Sequence, residues 1–140
     1  YHMKTSSLAI ILSISTTMSF YCTYFFNLTM TYSEQYLALI AVVFLDGFFG
    51  VIAGAKREGF KTFKALSVIR TAAVWCMFLT VILLVEQGFK GTGWLSETIL
   101  IPFIIFQLIS ALKNASMCGF IKADVLNQIL DRIDNHKGIR

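Results

Sequence analysis

The sequence predicts an all-α integral membrane protein, with four transmembrane helices and a C-terminal amphipathic helix. Three observations predict it. Four apolar runs of about 20 residues, each with at most one charge, match the ~30 Å hydrocarbon core of a bilayer. The composition is 56% hydrophobic and 14% charged, with 13 Phe and a mean hydropathy of +0.71, whereas soluble chains average about 25% charged residues. The cations, finally, segregate to one side of a four-span topology. The 140 residues suit a single membrane domain with no separate water-soluble part.

The first run, residues 8–28, is too long for a signal-peptide core and is followed by no small-residue cleavage site. It carries Ser13, Ser15, Thr16, Thr17 and Ser19 but no charge. A helix can satisfy such hydroxyls on carbonyls one turn back, so this run reads as a spanning helix with a polar stripe. Tyr1-His2-Met3 reads as a cloning remnant before a start at Met3. Thr29 to Gln35 read as a short polar turn.

The second run, residues 36–55, holds Asp46 near its middle. Asp46, Gly50 and Gly54 recur every four residues along one face, with Gly47 beside them. Small residues at that spacing let helix backbones approach closely, against the first or third span within a subunit or between subunits of an oligomer. Lys56, Arg57, Lys61 and Lys64 then form a basic turn with Glu58.

The third run spans 65–85, with Arg70 inside its first turns, and Glu86-Gln87-Gly88 end it. An ionised carboxylate at Asp46 is costly in lipid, so it should be neutral, hydrated or paired. Arg70 is the expected partner on the neighbouring antiparallel helix, the alternative being that both line a pore. The fourth run covers 94–112. Trp94 suits the interface, and Pro102 is tolerable in a membrane helix as a bend. Gln107, Ala111 and Asn114 share one face, which suits bonding between helices or a polar channel wall.

From 121 to 134 the pattern changes. Ile121, Val125, Leu126, Ile129, Leu130 and Ile133 alternate with Lys122, Asp124, Asp131 and Arg132. This is an amphipathic helix too charged to span, expected to rest on the cytoplasmic lipid face or on a copy of itself.

Orientation follows from the cations. Lys4, then Lys56, Arg57, Lys61, Lys64 and Arg70, then Lys113, Lys122, Arg132, Lys137 and Arg140 fall on one side. Lys90 alone falls on the other, so 11 of the 12 cations share a side. The positive-inside rule therefore puts both termini and the middle turn in the cytoplasm. This bias is the signature of a membrane partner, not of a nucleic acid.

No catalytic constellation stands out: there is no Ser/His/Asp set, no HExxH and no phosphate-binding glycine loop. His2 and His136 sit at opposite ends, and Cys22, Cys76 and Cys118 have no ligand-like spacing. The thiols read as buried and inert, and neither a metal nor another cofactor is expected.

The hairpin resembles a known family. Asp46-Gly47-Phe48-Phe49-Gly50-Val51-Ile52-Ala53-Gly54-Ala55-Lys56-Arg57-Glu58-Gly59, followed by Lys64-Ala65-Leu66, Arg70 and Glu86, is similar to phage holins of the toxin-secretion/phage-lysis type. Ser110-Ala111-Leu112-Lys113-Asn114-Ala115 resembles the polar segment that follows their last span, except that Lys113 replaces an acidic residue. The resemblance covers residues 39–134. It implies a multi-pass protein of the bacterial cytoplasmic membrane that accumulates harmlessly and then homo-oligomerises into lesions. A cell-wall hydrolase or toxin then escapes through them, without needing direct contact. The residues alone leave two other readings open: a small ion channel or transporter subunit with Asp46 as its ion site, and a non-permeabilising anchor or scaffold.

Overall fold

The computed structural model describes residues 2–137, with side chains from 4 to 136; Tyr1 and Arg140, invoked above, lie outside the described residues. Among them the chain forms five helices and no strand: α1 (His2–Thr31), α2 (Ser33–Glu58), α3 (Thr62–Gly88), α4 (Leu95–Met117) and α5 (Ala123–Lys137). The first four are long and apolar enough to cross a membrane. The chain divides into two compact units, Tyr1–Tyr36 and Leu37–Arg140.

In the first unit, α1 holds hydroxyls on its own carbonyls, as its composition predicts. Thr16 donates to the Leu12 carbonyl and Thr17 to that of Ser13, each at 2.8 Å. The polar turn expected from Thr29 to Gln35 is tighter than predicted. Thr29 and Thr31 stay helical, donating to the carbonyls of Phe25 and Asn27, and only Tyr32 separates α1 from α2. Back-bonding satisfies these hydroxyls inside the helix, so their polarity does not end it.

In the second unit, glycine sets the ends of α2 and α4. Gly59 (φ +83°) closes α2, its N–H reaching the Ala55 carbonyl at 3.1 Å. Gly119 (φ +84°) closes α4: its N–H bonds Ser116 and that of Phe120 bonds Ala115, both at 3.0 Å. This paired arrangement needs a left-handed residue, which glycine adopts without steric cost. Small residues mark where backbones come close. Ala53, Ala72, Ala111 and Ala115 are buried, along with Leu79, Ile82, Leu83 and Leu100.

Stacking of Trp75 on Phe103, with ring centroids 3.5 Å apart, ties α3 to α4. Near the opposite end of the hairpin from Gly59, a Glu86 oxygen accepts the Ser96 backbone N–H at 2.6 Å. No side chain at the N-cap position of α4 does so, and Glu86 thus satisfies one of the donors that every helix start leaves open.

The amphipathic helix starts and ends two to three residues later than predicted, at Ala123 and Lys137. It packs on α4 of the same chain rather than standing apart. Rings of Phe49 and Phe120, with centroids 5.6 Å apart, pin the α4–α5 turn to α2.

Candidate functional site

Sequence brings three polar stripes to one place. On α2 the four-residue step presents Asp46 with Gly50 and Gly54. On α3 the steps between Lys64, Ser67 and Thr71 put three polar groups on one face. On α4, Gln107 and Asn114 lie seven residues apart, two turns along one face. All but Gly54 line a single cleft of about 290 Å³ between the three helices. The cleft has room and polar partners for several water molecules.

Across the cleft, the Asn114 side-chain amide donates to an Asp46 carboxylate oxygen at 3.1 Å. This corrects the partner expected for Asp46. Arg70 is exposed and forms no ion pair among the described residues. A hydrogen bond to a neutral amide satisfies a carboxylic oxygen at lower desolvation cost than burying a second full charge would.

The α2 glycines explain how the helices come so near. A Cβ at Gly47 would overlap both methyl groups of Val68 on α3 and lie 3.0 Å from its Cβ. One at Gly50 would stand 3.5 Å from the Asn114 amide nitrogen, and one at Gly54 would stand 3.3 Å from the Lys64 Nζ. The small-residue seam therefore meets α3 and α4 of its own chain. Of the neighbours expected within the subunit, the third span is one of these; α4 was not expected.

The basic turn is partly neutralised by its own acid. Lys61 and Lys64 reach the same Glu58 oxygen at 3.1 and 3.4 Å. Both lysines are about half exposed, and such pairs contribute little stability. Arg57 is exposed. Lys56 instead donates to the Cys118 carbonyl at 2.8 Å, placing a cation at the negative end of α4.

Sequence reasoning missed this contact, the Asp46–Asn114 bond and the Glu86 cap. Each joins residues on different helices, and only the polar stripe on α4 hinted at one of them. The thiols also differ from expectation: Cys118 is buried, with Sγ 3.6 Å from the Phe49 carbonyl, but Cys22 is exposed. A thiol is apolar enough that lipid is as suitable an environment as a protein core.

The arrangement can hold water and one carboxylate between three apolar helices. It presents no nucleophile–base pair. A family model described as the bacteriophage holin family matches residues 20–135, which takes in every residue lining the cleft and extends the resemblance read from residues 39–134 into α1. No curated protein and no solved structure matches the chain.

Proposed function

Because the chain belongs to the bacteriophage holin family, we propose that it forms the membrane lesion of a lysis system. In this reading it accumulates in the bacterial cytoplasmic membrane with both termini in the cytoplasm. It then homo-oligomerises and opens holes through which a cell-wall hydrolase leaves without touching it. The observation that carries the reading is the polar cleft, with Asp46 bonded to Asn114 between apolar helices. A lesion-former must first tolerate lipid on its outside and later offer polar surface to water. Between α2, α3 and α4, polar side chains turned on one another meet the first demand, because unsatisfied polar groups in lipid are costly. Separating α2 from α4 in an assembly would meet the second.

Gly47, Gly50 and Gly54 serve this reading as the close-approach surface that holds α2 against α3 and α4. Lys56, Arg57, Lys61 and Lys64 serve it as the cytoplasmic anchor of the hairpin. Arg70 stays near the same interface, where its long side chain can snorkel.

The test is release from phospholipid vesicles loaded with both a small dye and a folded enzyme. Purified protein should release both together, above a threshold protein-to-lipid ratio. Flux of ions without the enzyme would replace this reading with a channel, and an intact vesicle would replace it with an anchor.

A further inference from the structure

The amphipathic helix lies in an unexpected place. Ile105 and Leu108 of α4 line one groove with Ile129, Arg132, Ile133 and His136 of α5. Leu108 and Ile105 lie nine and twelve residues before Met117, the end of α4, or about 14 and 18 Å at ~1.5 Å per residue. Ile133 is ten residues into α5, about 15 Å along it. Helix α5 therefore turns back at Gly119 and runs alongside the part of α4 that lies within the apolar span 94–112.

A helix at that depth has to be compatible with its surroundings on every face. At about 3.6 residues per turn, Leu126, Ile129 and Ile133 cluster on one side of α5. Asp124, Asn127, Asp131 and Asp134 cluster on the other, and all four are exposed. Lipid cannot solvate that second face, because ionisable side chains at bilayer depth face water or a polar partner. A helix resting flat on the membrane would put its apolar face into lipid, yet here that face is turned to α4.

We propose that α5 forms part of the lumen wall of the assembled lesion, with its apolar side on α4 and its Asp124–Asp131–Asp134 side facing the water. The inference rests on the lesion reading above and adds to it the helix that meets the permeating solute. The side turned to the water carries three carboxylates, whereas Arg132 lines the groove against α4, so the lumen wall is acidic and ions passing it are sorted in favour of cations.

The experiment measures the cation-to-anion permeability ratio of the purified full chain in planar bilayers under a KCl gradient near 10 mM. The screening length there is ~30 Å, against ~8 Å at physiological salt, so wall charge acts across a wide lumen. The native chain should prefer K⁺. The pair Asp131→Asn and Asp134→Asn should weaken that preference, and Asp131→Lys with Asp134→Lys should reverse it to Cl⁻. The asparagine pair is close to isosteric, so it carries the test even where the lysine pair fails to fold. Conducting variants with unchanged selectivity would put α5 outside the lumen and overturn the inference while leaving the lesion reading intact. A native chain with no conductance would overturn both.

Discussion

Replacing Gly47 by alanine sets two physical effects against each other. In a helix interior, alanine is favoured over glycine by about 1 kcal/mol. At this position, however, the added Cβ would overlap both Val68 methyl groups. Val68 is β-branched and held to few rotamers in a helix, so it cannot swing aside as a lysine tip could. Overpacking of this kind costs about 1–3 kcal/mol. The net effect of Gly47→Ala is therefore a destabilisation of about 0–2 kcal/mol, opposite in sign to the propensity effect. Val68→Ala removes the clashing methyls, so the double variant should recover what the clash cost, a coupling of about 1–3 kcal/mol between the two sites. The assay is reversible SDS-driven unfolding of the purified full chain in mixed micelles, followed by far-ultraviolet circular dichroism, for both single variants and the double. Single effects that add to within about 0.5 kcal/mol, or a Gly47→Ala chain more stable than the native one, would refute the close approach of α2 and α3.

Three further outcomes are expected. Asp46→Leu leaves the Asn114 amide without its acceptor and should weaken the α2–α4 contact by about 0.6–1.7 kcal/mol. It should also shift the onset of lysis, whereas Asp46→Asn keeps an acceptor and should have the smaller effect; equal effects on lysis timing would count against the bond. Glu86→Ala removes the acceptor of the Ser96 N–H and should fray the start of α4 by about 1 kcal/mol, seen as faster hydrogen exchange at Ser96 with little change at Ala111. A fluorescent protein fused after the last residue should fluoresce and alkaline phosphatase fused there should stay inactive; the reverse pattern would invert the orientation drawn from the cations.

Much of the fold is legible in the sequence because lipid imposes a strong constraint. A run must be about 20 residues long and apolar to span, and the runs 8–28, 36–55, 65–85 and 94–112 each fall on a separate helix, α4 starting one residue later, at Leu95. The helices extend further because nothing at the membrane surface stops one. Helix α4 continues through Lys113 and Asn114 to Met117 and ends only where Gly119 allows a left-handed turn. Asp46, the glycines and the polar face of α4 were also legible, one helix at a time. Their meeting was not. Asp46 and Asn114 are 68 residues apart, and a short turn identifies only sequence-adjacent helices as neighbours. Arg70 looked like the natural partner because its charge is complementary, but a helix face is set by its angle as well as its depth. The position of α5 was illegible for a related reason: an amphipathic period shows that one face is covered, but not by what.

The proposed lesion opens the cytoplasmic membrane to folded proteins. Expression of the full chain in a bacterium, together with a cytoplasmic cell-wall hydrolase, tests it most directly, with membrane potential and released hydrolase followed in the same culture. Growth should stay normal for a delay, and the potential should then collapse abruptly as hydrolase reaches the medium. A potential that falls while the hydrolase stays inside, or one that never falls at full membrane accumulation of the protein, would contradict it.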